Sequence, residues 1–361
     1  MGPRNSNKAV FPNHMSVSLS LNHLVTLTWE FLVRFYLPKR RFPWTVSVTR
    51  LHAMSTIPLL RLPLLVLEEV LKCLNPIELF KLSECSKKII NLIPLAGTRN
   101  YELFANFSKD IIIINDCYYF GNLKFCSWIR ERYRMKIDGN LISCLRRMLD
   151  LFKCGIHRLE TRRETEAAEF KLLIPIILKN DRLIKKFTLK GTSISAGNLK
   201  QIFEISESLK VCMKMPSFRF EQFSFFPKYL SISQSDGITR SDLLALKQCV
   251  SINLRNSQLT NEDLDIFLEF WKNGEFPNLE CAFLHDGNFC VKQKLAGLGG
   301  WPRNINDGYK QKRINNCTVF MHGGETIERV DGVKAMIQLH TSHTFIFFSD
   351  KTEKLSIQNF N

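Results

Sequence analysis

One pattern is written twice in this chain. Phe187-x-Leu189-x-x-Thr192-x-Ile194-Ser195 returns as Ile252-x-Leu254-x-x-Ser257-x-Leu259-Thr260, matched position for position. Between the copies lie Leu209-x-Val211 and Leu230-x-Ile232, the latter followed by Ile238-Thr239. Strand starts therefore fall at 187, 209, 230 and 252, spaced 22, 21 and 22 residues apart. Apolar residues two apart predict short strands with one buried face. Ser195, Thr239 and Thr260 each follow the last apolar residue of a unit and predict helix N-caps, since their hydroxyls can accept from first-turn N–H groups. Asp242 and Asp263 stand three residues beyond two of those caps, where a negative charge meets the positive end of a helix. Leu264, Phe267, Leu268 and Trp271 make an apolar stripe, and Gly274 predicts where that helix stops.

A single strand and helix cannot bury their apolar faces, but stacked copies can. The period and the L-x-L-x-x-N-x-L spacing mark leucine-rich repeats. Thr192 and Ser257 stand where that pattern prefers Asn, and a hydroxyl reaches the neighbouring turn less well, so the repeats read as degenerate. Further strands are predicted at Ile156–Leu159 and, after Pro277-Asn278-Leu279, at Cys281–Phe283. Glu325–Val330 and Val333–Leu339 flank Asp331-Gly332 and predict a hairpin with a two-residue turn, with one more strand at Thr344–Phe348. These segments would cap a solenoid whose end strand otherwise exposes unpaired backbone. Residues 349–361 read as a polar tail.

Upstream, from Pro58, the pattern becomes helical. Pro63 suits a helix's first turn, and Leu67, Val70, Leu71 and Leu74 recur on one face. Asn75-Pro76-x-Glu78 stops that helix and caps a second carrying Leu79, Leu82 and Cys85. A third runs from Lys87 to Ile93 and ends at Pro94. Three helices this short make a marginal core that is completed against a partner. Between this block and the repeats, Asp110–Asn115 and Tyr118–Phe120 precede Gly121-Asn122 and Leu123–Phe125. These runs predict a β-hairpin turning at Gly121-Asn122 within a linker over 105–136.

The helical block resembles the F-box. That pattern opens Leu-Pro, here Leu62-Pro63, and continues with Val70, Leu71 and Leu74, Asn75-Pro76, Glu78, Leu79-Phe80, Lys81, Leu82-Ser83 and Lys87-Lys88 without a gap. Leu65 stands where the family usually has Glu, and Ile89 where it usually has Trp. Leu-Ser-Glu-Cys-Ser-Lys-Lys, followed by Leu92–Gly97, is similar to the nematode-type F-box set. Segment 259–279 resembles the type 2 F-box-associated domain that follows the F-box in those proteins, a likeness loose over 137–348 and best over 218–283. The resemblance implies an α+β / α/β chain: a three-helix F-box at 58–104, then a degenerate leucine-rich-repeat-like solenoid with a C-terminal β-hairpin cap. It implies a non-enzymatic substrate-recognition subunit of an SCF-type (Skp1–cullin–F-box) ubiquitin ligase. Leu62, Pro63, Val70, Leu71, Leu74, Pro76, Leu79 and Leu82 would build or present the surface for a Skp1-like adaptor, and through it a cullin scaffold, while the repeats hold a target protein of unread identity.

Composition bears on the alternatives. Of 361 residues 45% are hydrophobic and 23% charged, which excludes wholesale disorder. The formal charge of +16 raises nucleic acid as a partner. However, residues 1–53 hold seven basic residues against Glu30 alone, and the remaining excess is diffuse. Trp128, Arg130, Arg132, Tyr133, Arg134 and Lys136 interleave bases with aromatics once only, and nucleic acid is not the expected partner. Two other readings stay open: a repeat module that does not engage the ligase, and a basic nucleic-acid-binding protein.

Residues 1–53 read as a loosely ordered extension, with Met54 as an alternative start and Lys39-Arg40-Arg41 as a weak nuclear signal. Its apolar stretch Val17–Leu37 is interrupted by Asn22, His23, Glu30 and Arg34, so no membrane span is expected. Eleven cysteines from Cys73 to Cys317 include no C-x-x-C pair and read as small buried hydrophobes in cytosol or nucleus. Gly297-Leu298-Gly299-Gly300 lacks phosphate-loop spacing, and His340-x-x-His343 falls on a predicted strand, where the two rings would point apart. Glu164, Glu166 and Glu169 beside Arg162, Arg163 and Lys171 read as a solvated face. No catalytic residue, metal site or cofactor is expected.

Overall fold

The computed structural model describes residues 59–122, 129–137, 139–165, 167–179, 183–215, 219–289, 309–314, 317–322, 324–340 and 344–349. The expectations for residues 1–53, Met54, Leu123–Phe125, Glu166, Gly297–Gly300, His343 and the tail beyond Ser349 lie outside the described residues. The chain divides into two units, Met1–Leu74 and Asn75–Asn361.

In the first unit a 3-10 turn at Leu59–Arg61 precedes helix α1, Leu64–Lys72. Pro63 stands one position ahead of the first turn, at the N-cap, where its fixed φ of -54 and extended ψ deliver the chain into the helix. Its carbonyl accepts from the Leu67 N–H at 2.9 Å.

The second unit opens with α2, Pro76–Cys85. The expected capping box is complete: the Asn75 side chain accepts from the Ile77 and Glu78 N–H groups, and Glu78 accepts from the Asn75 N–H. Cys85, placed in that helix's apolar stripe by its spacing, is exposed, and so are Cys73 and Cys117; among the described residues the buried thiols are Cys144, Cys154, Cys249 and Cys281. The third helix, α3, is only Lys87–Ile90. A 3-10 turn at Ile93–Ala96 follows it, because Pro94 cannot supply the next helical N–H.

A thirteen-stranded mixed sheet follows. Its strands are β1 Glu102–Asn106, β2 Ile111–Ile114, β3 Tyr118–Gly121, β4 Arg134–Lys136, β5 Gly155–Glu160, β6 Lys186–Leu189, β7 Ser208–Val211, β8 Tyr229–Ile232, β9 Ser251–Leu254, β10 Cys281–Leu284, β13 Glu325–Glu328, β14 Lys334–His340 and β15 Thr344–Ser349. Strands β11, Tyr309–Ile314, and β12, Cys317–His322, pair only with each other. From β5 to β10 the strands lie side by side in chain order, all parallel. The registers Phe187↔Leu209↔Leu230↔Ile252 align the predicted repeat starts, and every one of those side chains is buried.

The connections are α4 Leu141–Phe152, α5 Ala167–Leu178, α6 Ala196–Ile205, α7 Arg240–Ala245 and α8 Asn261–Lys272. Ser195, Thr239 and Thr260 cap α6, α7 and α8 as expected, the last two in full capping boxes. Among the described residues the unit between β7 and β8 has no α-helix. A 3-10 turn, Phe220–Gln222, takes its place, with the rings of Phe220, Phe223 and Phe226 packed on Phe203 at centroid distances of 5.1 to 5.9 Å.

Two turns differ from expectation. The β2–β3 turn is Asn115-Asp116, both left-handed at φ 52 and 54, which these short polar side chains tolerate. Gly121-Asn122 is instead the end of β3, and the stretch read as hairpin and linker supplies strands to the main sheet. The β13–β14 loop is longer than two residues. The Gly332 N–H bonds the Arg329 carbonyl and the Arg329 N–H bonds the Val333 carbonyl, both at 2.9 Å, with Gly332 at φ 83: a three-residue loop of the bulged kind.

Candidate docking surfaces

Helix α1 has two apolar faces and only one is inside. Leu67, Val70 and Leu71 are buried at the i, i+3, i+4 positions. Leu64, Leu65 and Val66 are 59%, 77% and 47% exposed, and Leu60 in the preceding turn is 44% exposed. Large apolar side chains clustered in water mark a surface that something else covers. On the solvent side Lys72 bridges Glu68 and Glu69 at 2.7 and 2.9 Å, a pairing of small energetic weight.

Burial sorts the residues singled out from the sequence. In the first unit Val70 and Leu71 are buried, Leu62 and Leu74 half-buried, and Pro63 exposed. In the second, Pro76, Leu79 and Leu82 are all buried, as is Ile89. Phe80 of α2 packs on Phe120 of β3 at 5.7 Å and lies under the Arg147 guanidinium, 4.5 Å away, while Arg147 also pairs with Glu84 at 3.1 Å. Helix α2 is thus anchored to the sheet. Leu60, Leu64, Leu65 and Val66 were not among the predicted residues. The signal was the unbroken apolar run Leu64–Leu67, which supplies more apolar side chains than one helical face can bury.

The sheet offers the second surface. Along β5 to β9 alternate residues point into the buried layer, and the others form rows across the opposite face. One row runs Arg158, Lys186, Ser208, Tyr229, Ser251 and the next Glu160, Thr188, Lys210, Ser231, Asn253. Beyond the strand ends follow Lys190, Cys212, Ser233 and Arg255. At one end of these rows Cys281, Phe283 and Phe348 form an apolar cluster with Tyr229, Met336 and Ile346. At the other, Ile111, Ile113 and Ile129 cluster with Phe104, Tyr119 and Tyr133. Arg158 lies 5.0 Å over the Phe104 ring. Glu160, the only carboxylate in these rows, is held by Lys190 at 2.6 Å.

The hydroxyls at the repeat's Asn position are used. The Ser235 N–H and hydroxyl both donate to the Arg255 carbonyl of the next unit, at 3.0 and 2.8 Å. The Thr192 hydroxyl donates to the Thr165 carbonyl at 3.5 Å, and the Ser257 hydroxyl accepts from the Leu259 N–H at 3.2 Å. Ser235 escaped the sequence reading because its unit is interrupted by Gly237.

Burial pushes the Cys144 thiol up to about 12 and that of Cys249 well above its ordinary value, the reverse of what a nucleophile needs. Among the described residues no three His, Cys, Asp or Glu side chains converge as metal ligands, and no helix is long and apolar enough to cross a membrane. Glu169 pairs with Arg162 across the start of α5.

Comparison with known proteins adds two domain matches. The F-box domain family matches residues 59–94, and the F-box-associated family of the second type matches residues 218–284. A protein of Caenorhabditis elegans, Skn-1 dependent zygotic transcript 15 protein, is 33% identical over 119 residues, which is 32% of this chain and 32% of that relative. The match thus spans about a third of the relative's length. No solved structure matches.

Proposed function

Because this chain is a nematode-type F-box protein, in which an F-box precedes a type 2 F-box-associated domain, we propose that it is the substrate-recognition subunit of an SCF-type ubiquitin ligase. F-box domains generally bind Skp1-like adaptors, and the families matched here are generally non-catalytic. In this reading the F-box, 58–104, docks on a Skp1-like adaptor and through it on a cullin scaffold. The domain over 137–348 holds a target protein beside the charged conjugating enzyme, and the gain is effective concentration rather than bond chemistry. The working compartment is cytosol or nucleus.

The observation that carries the reading is the exposed apolar row Leu60, Leu64, Leu65 and Val66 on the first F-box segment. We assign the adaptor contact to this row together with Leu62 and Pro63, and assign Val70, Leu71, Pro76, Leu79 and Leu82 to holding the helices in place. Leu65 then replaces a polar contact with an apolar one. The parallel run β5–β10 with intervening helices reads as a degenerate leucine-rich-repeat solenoid. The hairpin β13–β14 with β15, added antiparallel to β10, reads as its cap.

The test is co-expression of the full chain with a Skp1-like adaptor, followed by affinity capture. Wild type is expected to bring down the adaptor, and Leu64→Asp/Leu65→Asp to lose it with an unchanged melting temperature. No adaptor with wild type leaves a repeat module that does not engage the ligase, and adaptor retained by the variant overturns the assignment of the contact to this row.

A further inference from the structure

The open face of the sheet carries more positive charge than its own residues neutralise. Across β5 to β9 and the residues just beyond them stand Arg158, Lys186, Lys190, Lys210 and Arg255, against Glu160, which Lys190 already holds. Among the described residues neither Lys186 nor Lys210 has a carboxylate partner, and both are exposed. Arg158 and Lys186 are direct cross-strand neighbours in register. Like charges placed opposite one another on a sheet repel and destabilise it, so the pair gives the fold nothing. Other lysines near the sheet are paired: Glu207 sits between Lys185 and Lys228 at 2.9 and 3.2 Å, and Lys247 pairs with Glu275. On this face five cations thus stand against one carboxylate.

The residues between them fix what could lie there. Thr188 and Ser231 are small and hydroxyl-bearing, each able to donate and accept, and the equally small Ser251 already accepts from the Cys281 thiol at 3.1 Å. They leave a low strip between two apolar clusters, one around Phe104, Tyr119 and Tyr133 and the other around Phe283 and Phe348. Resting on the receptor reading above, we propose that this strip is the target-binding surface and that its occupant is an acidic protein segment with apolar residues at its ends. Carboxylates meet Arg158, Lys186 and Lys210, backbone groups meet the hydroxyls, and the apolar ends meet the flanking clusters. The chain's own N-terminal extension is a poor occupant, since residues 1–53 carry seven basic residues and one acid. Nucleic acid fits less well, because successive bases need aromatic platforms where this strip has Ser and Thr.

The test uses the full chain bound to a Skp1-like adaptor and a fluorescein-labelled peptide of alternating Glu and Ser with a Leu-Phe pair at each end. A Lys-for-Glu version and single-stranded RNA of matched charge serve as controls. Anisotropy is expected to report binding of the acidic peptide that weakens as salt is raised. K186E/K210E is expected to lower its affinity by about tenfold with adaptor capture and melting temperature unchanged, and Arg or Gln at the two positions respectively to retain and to weaken binding. No binding of the acidic peptide, equal binding of the Lys version, tighter binding of RNA, or full affinity in K186E/K210E overturns the proposal. Adaptor capture is read in the same preparations, so failure of the receptor reading is seen separately.

Discussion

Asp242 and Asp263 each do more than their spacing announces. Asp242 accepts from the Thr239 N–H and hydroxyl and also from the Phe220 N–H at 2.8 Å, in the unit before it. Asp263 accepts from Thr260 and from Arg240 Nε at 2.7 Å, again one unit back. Burial works against the Asp263 carboxylate, yet the Thr260 and Arg240 bonds outweigh it and hold its pKa below the ordinary value. A capping acid in this chain therefore also ties neighbouring units. Thr260→Ala removes a cap and one of that acid's donors, and is expected to cost about 1 kcal/mol in urea unfolding; an unchanged midpoint would count against the role of the box. His285 is the second residue with a readable consequence. Burial and the nearby Arg255 charge lower its pKa from the ordinary 6.5, against a smaller pull from Asp286. The unfolded chain binds a proton that the fold resists, so this contribution is complete above 6.5 and is lost as pH falls through the lower folded value. Between about pH 7 and 5 the melting temperature of wild type should fall further than that of His285→Gln. Parallel curves would exclude the effect.

At the scale of elements, helix α1 and strand β3 show how far pattern reading reaches. The four strands from β6 to β9 were legible because residues two apart alternate without interruption, and their helices because Ser195, Thr239 and Thr260 are caps with few other uses. The exposed face of α1 was not legible, since periodicity identifies a buried stripe but does not say which of two apolar stripes is the buried one. The turn of β2–β3 was misplaced because Gly-Asn is the stronger local signal, whereas Asn115-Asp116 makes the turn without glycine. Gly121 spends its freedom differently: at φ +127 an added Cβ would stand 2.2 Å from the Asp110 carbonyl oxygen. Gly121→Ala is expected to destabilise the sheet by roughly 1–3 kcal/mol, measured by thermal unfolding. An unchanged midpoint would mean that the β2–β3 ribbon shifts to make room. The helix lost between β7 and β8 was likewise invisible, because a phenylalanine cluster fills the layer without any helical period.

For the whole molecule, a parallel run of strands, which β1 joins in parallel at β5, is framed by antiparallel pairings, β1–β2–β3 on one side and β10–β15–β14–β13 on the other. Buried cation Arg329 supports the second frame: it donates to Asp331 at 2.7 and 2.6 Å and to the Phe276 carbonyl at 3.1 Å, and its guanidinium lies 5.6 Å from the Trp271 ring. Between the frames the sheet keeps a polar, basic face in water, and the first F-box helix keeps a row of leucines there. Two solvent-facing surfaces of unlike chemistry on one chain are what the proposed bridging role requires. The claim at the centre is that the leucine row is an adaptor contact. Its most direct measurement is capture of a Skp1-like adaptor by wild type and by Leu64→Asp/Leu65→Asp, with unfolding followed in parallel. The variant is expected to lose the adaptor and keep the wild-type melting temperature. An adaptor still bound at wild-type levels would contradict it.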